Sequence, residues 1–131
     1  IADEMFVLQK NHFMKLCDLI IERGYDFNFW AYARIDTVKE EYLDILKKAG
    51  VNWLALGIES GNASVRKDVV KGKFTEVKIK DLVEKIQNVG INVIGNFIFG
   101  LPEDDIDSMN ETLQMAKDLR CEFVNFYCKN Y

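Results

Sequence analysis

The chain has 131 residues, 49% of them hydrophobic and 29% charged, with a net charge of −4. Such a length holds one compact domain, and the composition is that of a folded globular protein rather than a disordered or membrane-spanning one. Lysines and arginines are scattered beside Asp and Glu without a basic stripe, and no apolar run reaches membrane length, so neither nucleic acid nor a membrane is an expected partner.

In chain order, Ile1-Ala2 can form a strand stub, and Asn11 to Arg23 reads as a helix. Its apolar face carries Phe13, Leu16, Cys17, Ile20 and Ile21, and Gly24 closes it. Phe27 to Ala33 is a strand. Thr37-Val38-Lys39-Glu40 has the spacing of a capping box and opens a helix through Leu43, Leu46 and Ala49 to Gly50. Asn52 to Ile58 is the next strand, and a short helix spans Ala63 to Lys71 before Gly72. A further helix runs from Glu76 to Asn88 with Ile79, Leu82, Val83 and Ile86 inward and Gly90 as its stop. The β-rich run INVIGNFIF follows from residue 91, then a helix from Ile106 to Leu119 and a last strand from Phe123 to Tyr127. KKAGVNWLALGIE and QNVGINVIGNFIFG repeat the order helix end, Gly, β-branched residue, Asn, strand. Strands alternating with helices of about three turns are the signature of a parallel sheet. The fold class is therefore α/β, a parallel (β/α) repeat. A closed eightfold barrel takes about 250 residues, so this chain is expected to be a partial TIM-like barrel.

The three cysteines, Cys17, Cys121 and Cys128, have neither CxxC nor zinc spacing, and an odd count argues against a disulfide framework, so a reducing cytoplasm is the expected compartment. Cys17 falls on an apolar helix face. His12 is the single histidine, near a helix start where a surface or capping role suits it, and no Ser/His/Asp or Cys/His nucleophile system can be assembled.

Alternation separates two faces on every strand. Leu54, Leu56 and Ile58 oppose Trp53, Ala55, Gly57 and Glu59. Val93, Gly95, Phe97 and Phe99 oppose Asn92, Ile94, Asn96 and Ile98. One face suits covering helices. The other mixes small and polar residues, as the lining of a ligand cavity does, since buried Asn and Glu need polar partners. Polar residues gather at the carboxyl ends of the strands, where sites on such folds lie: Asp3-Glu4, Arg34 and Asp36, Glu59-Ser60, Asn96 and Glu103. Each has a plainer alternative: Asp36 can begin a turn, Ser60 and Asn62 can cap the next helix, and Glu103 can favour a helix N-terminus. For Asp36 and Asn62 the plainer reading is preferred. Gly57 clears space beside Glu59 on the same face.

The ordered set DEMF, AYARIDTVKEEYLDILKKAGVNWLALGIESG and NFIFGLPED resembles the central part of the radical S-adenosylmethionine (SAM) enzymes, in the branch often fused to a cobalamin-binding domain. The resemblance implies that residues 1–131 form a single partial radical SAM domain, without the first strand and the cluster-binding loop. It implies that Asp3 and Glu4 lie where the methionine amino group of SAM is held, a cation suited to a carboxylate. Glu59, with Ser60, matches the ribose-binding motif. Lys71 matches a basic position facing the SAM carboxylate, with a solvated lysine before Gly72 as the alternative, and Arg34 shares that electrostatic role. Asn96, Ile98, Gly100 and Glu103 match a G-x-I-x-G-x-x-E pattern in which Asn96 replaces the first glycine. Ile98 would pack on adenine, Glu103 would fix the loop, and Tyr127 lies near another adenine contact. The family's cofactors are SAM and a [4Fe–4S] cluster held by a CxxxCxxC loop, with cobalamin added in this branch. That loop is absent here and is expected upstream, so no residue is assigned to a metal and the isolated chain is expected to be inactive. The longer protein would cleave SAM reductively to a 5′-deoxyadenosyl radical, as a cobalamin-dependent methyltransferase or cyclase, using a small-molecule substrate and an electron donor. Two other readings stand beside it. One is a divalent-metal (β/α)-barrel lyase or hydrolase using Asp3, Glu4, Glu59 and Glu103. The other is a non-catalytic fragment whose unprotected sheet edges make it self-associate.

Overall fold

The computed structural model describes residues 1, 3, 5–67 and 75–129. Its sheet is built from β1 (Phe29–Arg34), β2 (Val51–Glu59), β3 (Asn92–Phe99) and β4 (Phe123–Cys128), in that spatial order with every neighbouring pair parallel. Around it lie α1 (Lys10–Glu22), α2 (Leu43–Lys48) preceded by a 3-10 turn at Glu40–Tyr42, α3 (Ala63–Lys67), α4 (Glu76–Asn88) and α5 (Ile106–Asp118). The partial (β/α) barrel expected from the alternation is thus the observed fold.

Alternation explains which side of the sheet the helices take. Leu54, Leu56, Ile58, Val93 and Phe97 are fully buried under helices that contribute Leu46, Ile79, Val83 and Ile86. Each such side chain removed from water contributes about 1.5–3 kcal/mol, which fixes the strand faces. A one-residue slip would exchange this set for the polar one. On the other face Trp30, Tyr32, Phe123 and Tyr127 stay exposed and Arg34, Gly57, Glu59, Asn96 and Ile98 half-buried.

The internal repeat has a structural meaning. Gly50 and Gly90 both end helices at positive φ, Val51 and Ile91 enter the core, and the asparagine after each reaches toward the amino end of the preceding strand. Asn52 Nδ2 donates to Asn28 Oδ1 at 2.9 Å, and Asn92 Nδ2 donates to the Asn52 carbonyl at 3.3 Å. A polar ladder therefore runs along the amino ends of three strands.

Several expectations are corrected. The first long strand starts at Phe29 rather than Phe27, whose side chain is exposed. The capping box at Thr37 does not form. Thr37 Oγ1 instead donates to the Arg34 carbonyl at 2.8 Å, closing the turn after β1, and the helix begins later through the 3-10 turn. Leu16 and Ile21 of α1 are 37% and 40% exposed, because this helix packs against α2 by one side only, with Phe13 edge-on to Tyr42 at 5.0 Å. Ile1 forms no strand, although its nitrogen donates to the Trp30 carbonyl at 3.0 Å, and Ala2 lies outside the described residues. Of the expected helix from Ala63 to Lys71, α3 covers Ala63–Lys67, and the remainder falls outside the described residues. Within the described residues no helix is long and apolar enough to cross a membrane.

Candidate functional site

The polar face becomes a site at the carboxyl ends of the strands. Tyr32, Ala33 and Arg34 of β1, Ala55, Gly57 and Glu59 of β2, Asn96 and Ile98 of β3 and Tyr127 of β4 enclose a cavity of ≈ 270 Å³. The register brings them together, since Arg34 pairs with Gly57, Gly57 with Asn96 and Ile98 with Tyr127.

Glu59 is the centre of this arrangement. The pairing of β2 with β3 shifts between Gly57 and Glu59, an irregularity of the kind that re-aims a strand end. Glu59 itself sits at φ +71, and the Ser60 N–H donates to the Ile58 carbonyl at 3.0 Å, closing a tight turn around it. A non-glycine residue in this region stores about 1–3 kcal/mol and persists where the surroundings over-determine it. Gly57 is what admits the carboxylate: a Cβ at that position would lie 2.6 Å from Glu59 Oε1. Burial pushes the Glu59 acid above the ordinary glutamate range, and the charge of Arg34 opposes that rise.

Arg34 is held by Asp36. Its Nε donates to Asp36 Oδ1 at 2.9 Å and its Nη2 to Asp36 Oδ2, a two-point ion pair that raises the guanidinium pKa through the hydrogen bond. Asp36 therefore orients a site arginine rather than merely beginning a turn. Sequence reading missed this although R-x-D spacing was its signal. Asn96 Oδ1 accepts from Asn125 Nδ2 at 3.0 Å, leaving the Asn96 amide nitrogen as the donor end.

The loop after β3 is shaped by its own residues. The Asp104 N–H donates to the Leu101 carbonyl at 2.9 Å, with Pro102 and Glu103 between and Glu103 at φ +70. Proline at the second position and positive φ at the third define a type II turn, which ordinarily takes glycine where Glu103 stands. The Glu103 side chain is exposed, and the loop-fixing role falls to Asp104, whose Oδ2 accepts from the N–H groups of Gly100 and Leu101 at 2.9 and 3.3 Å.

The structure thus places Arg34, Glu59, Asn96, Ile98 and Tyr127 together in one cavity. Ser60 is fully buried and turns away toward Thr112, Gly100 shapes the loop at φ +79, and Glu103 lines a different cavity with Asn62, Asp105, Asp107 and Glu111. Asp3 is exposed and accepts from the Met5 N–H at 2.9 Å. Glu4 and Lys71 lie outside the described residues. Asn62 caps α3, with Oδ1 accepting from the Ser64 and Val65 N–H groups at 2.9 and 3.1 Å. Buried Arg66, unremarked in the sequence, donates to the Ser60 and Gly61 carbonyls at 2.6 and 3.1 Å. Its position in a short helical run of charged residues carried no signal of burial.

The cavity suits SAM by its donor set: an acceptor carboxylate for hydroxyls, a cation for a carboxylate, an apolar Ile98 and an aromatic Tyr127. An iron–sulfur cluster does not fit this chain's own thiols. Cys17 is buried in α1, Cys121 precedes β4 and Cys128 is exposed at its end, and desolvation pushes the Cys17 and Cys121 thiols up to about 11. Among the described residues no group of three His, Cys, Asp or Glu side chains is placed to hold a metal ion, and Glu59 and Glu103 line separate cavities.

Residues 10–116 match the model of the family described as Radical SAM superfamily. The chain is 27% identical over 124 residues to an uncharacterized methyltransferase of Pyrococcus horikoshii, covering 95% of this chain and 27% of that protein. It is 26% identical over 128 residues to an anaerobic magnesium-protoporphyrin IX monomethyl ester cyclase of Rubrivivax gelatinosus, covering 96% of this chain and 23% of that one. The chain thus spans about a quarter of the length of these curated relatives. Its fold is similar to that of a radical SAM methyltransferase from Kitasatospora setae solved with cobalamin and a [4Fe–4S] cluster bound, with a TM-score of 0.84 at 19% identity, over 97% of this chain and 26% of the other.

Proposed function

The chain belongs to the radical SAM superfamily, and from that premise we propose that its polar face holds SAM within a longer enzyme. The observation that carries this reading is the cavity that brings Arg34, Glu59, Asn96, Ile98 and Tyr127 together at the carboxyl ends of four parallel strands. Glu59 accepts hydrogen bonds from the ribose hydroxyls, for which a carboxylate in a partly desolvated cleft is the strong acceptor. Arg34, fixed in orientation by Asp36, faces the carboxylate of the methionine part, with Lys71 as a second cation; Asp3 and Glu4 attend its amino group. Ile98 and Tyr127 bracket the adenine, and Gly100 and Glu103 belong to the turn beside it.

With a reduced [4Fe–4S] cluster beside it in the longer protein, SAM would supply a 5′-deoxyadenosyl radical. The cluster's ligands belong to residues of the longer protein other than those present here, so this chain alone binds and orients rather than reacts. Two relatives, a methyltransferase and a cyclase, together with the cobalamin-bound structural neighbour, support a cobalamin-dependent methyl transfer or cyclisation on a small-molecule substrate, with an electron donor for the cluster. The free thiols suit a reducing cytoplasm. Outside the rest of the barrel, the terminal strand β4 would favour self-association, while β1 already accepts bonds at Trp30 and Tyr32 from Ile1 and Phe6.

Anaerobic reconstitution of the full-length protein with iron and sulfide, followed by addition of a reductant and SAM, tests this. Release of methionine and 5′-deoxyadenosine, or methyl transfer from SAM, is expected. A protein that forms its cluster yet binds no SAM would overturn the reading. A finer prediction concerns Gly57→Ala. Its Cβ would meet the flexible end of Glu59 rather than backbone. Folding stability is therefore expected to change by less than about 1 kcal/mol. SAM affinity is expected to fall about tenfold, as a titration would show, because the carboxylate is displaced.

A further inference from the structure

Among the described residues the buried polar or charged side chains are Ser60, Arg66, Ser108 and Thr112. All four lie beneath the turns that follow β2 and β3, the strands that carry Glu59, Asn96 and Ile98 into the proposed SAM cavity, and their hydrogen bonds join into one path. Thr112 Oγ1 donates to the Ser108 carbonyl at 3.0 Å. Its one proton being used there, it is the acceptor for Ser60 Oγ at 3.2 Å, and it also accepts from the Gly61 N–H at 2.9 Å. Four residues back along α5, Ser108 Oγ donates to Asp104 Oδ1 at 2.6 Å, and Asp104 Oδ2 holds the Gly100 and Leu101 N–H groups. Arg66 clamps the other turn, the one after β2, from α3 through the Ser60 and Gly61 carbonyls. At Gly61 the fit is close: a Cβ there would stand 2.6 Å from Thr112 Cα and 2.7 Å from the Glu111 carbonyl oxygen.

A path of this kind is a demanding way to fill a helix–loop interface. Apolar side chains of the same shape would pack there at little cost, whereas buried hydroxyls stabilise only when every one is satisfied. Within the described residues none of the buried side-chain polar atoms lacks a partner. Both turns that the path joins carry a non-glycine residue at positive φ, Glu59 at +71 and Glu103 at +70; among the described residues Arg120, at +50 before β4, is the third. Backbone of that kind persists only where its surroundings hold it.

We propose that Ser60, Thr112, Ser108 and Asp104 form a positioning network that ties the turn at the end of β2 to the turn at the end of β3, so that Glu59 and the Gly100–Glu103 loop are placed as one unit. Thr112 is the positioning residue through which the coupling runs. The inference rests on the reading of the cavity as a SAM site for its effect on affinity, but the coupling itself has an independent readout.

That readout is amide hydrogen exchange in the full-length protein reconstituted with iron and sulfide, paired with SAM titration, for Thr112→Val and Thr112→Ser. Valine removes the hydroxyl at nearly constant volume. It is expected to speed exchange at Gly61 and also at Gly100 and Leu101, whose N–H groups Thr112 does not touch. SAM affinity is expected to fall about tenfold. Serine restores the hydroxyl and should rescue both. Faster exchange confined to Gly61, or full SAM affinity in the valine variant, would overturn the proposal. If the unaltered protein binds no SAM, the reading of the cavity fails while the exchange result still decides the coupling. Should Thr112→Val not fold, Asp104→Ala tests the path from its other end: faster exchange at Gly61 supports the coupling, and unchanged exchange there refutes it.

Discussion

Replacing Glu59 by alanine is expected to weaken SAM binding by about 10- to 100-fold, the loss that follows when a charge-assisted hydrogen bond of about 1.5–3 kcal/mol disappears. The same carboxylate weighs against the fold. Burial raises its pKa above the ordinary glutamate range, with Arg34 opposing, so the folded state binds the proton more tightly than the unfolded chain does. A carboxyl with a raised folded pKa contributes stability that is fully present below the unfolded pKa and is lost as pH rises through the folded one. Glu59→Gln keeps the shape without the charge. It is therefore expected to be more stable than the unaltered protein near pH 7, with the advantage shrinking as pH falls through the raised folded pKa toward the unfolded value of about 4.3 and gone below it, where the glutamate is protonated. Urea midpoints across that range measure it, and SAM titration of the same variant should show weakened binding. An advantage that grew toward acid pH would contradict the assignment of burial as the cause. Such a cost, if the urea series shows it, is what a binding role for Glu59 would lead one to expect.

The largest loss of stability is expected from Gly50→Ala. The two halves of the internal repeat carry glycine at matching helix ends, with φ +94 at Gly50 and +82 at Gly90. A left-handed conformation costs a side-chain-bearing residue about 1–2 kcal/mol, and this term applies at both positions. Only Gly50 adds a collision, because its Cβ would lie 2.2 Å from the Phe27 carbonyl oxygen and 2.9 Å from the carbonyl carbon. At Gly90 the nearest atoms, 3.5 and 3.7 Å away, belong to the flexible end of Lys47. Overpacking against backbone adds about 1–3 kcal/mol, so Gly50→Ala should lose about 2–5 kcal/mol and Gly90→Ala about 1–2. Denaturant midpoints compare the two. Equal losses would mean that the contact with Phe27 relaxes freely. The Gly50 N–H and carbonyl also join the helix end to the start of β1, donating to Lys47 and accepting from Phe29 at 2.7 Å, which limits such relaxation.

The alternating faces of β2 and β3 were legible in the sequence because period-two burial leaves no freedom once one face is apolar: Leu54, Leu56 and Ile58 could only go under the helices, which sends Gly57 and Glu59 to the other side. The same logic marked Asn96 and Ile98 and the helix stops at Gly24, Gly50 and Gly90. The parallel sheet followed from spacing, and the ordered motifs pointed to the family. Periodicity is local, so the residues it identifies need only their own strand or helix to be placed.

Tertiary structure decided what depends on a second element. Asp36 sits in the turn after β1, as its sequence suggested, and there it also became the partner of Arg34, because the chain folds back on itself two residues after the strand. Asp104, not Glu103, came to hold the loop, since the turn at Pro102 points the Glu103 side chain outward and returns Asp104 to the Gly100 and Leu101 amides. Ser60 left the cavity for Thr112, a partner 52 positions away, and Arg66 was buried beneath a loop it clamps. Polar side chains have no periodic preference of their own. Where each one points is set by the hydrogen-bond partner that the packed helices bring to it, and that partner exists only in the folded chain.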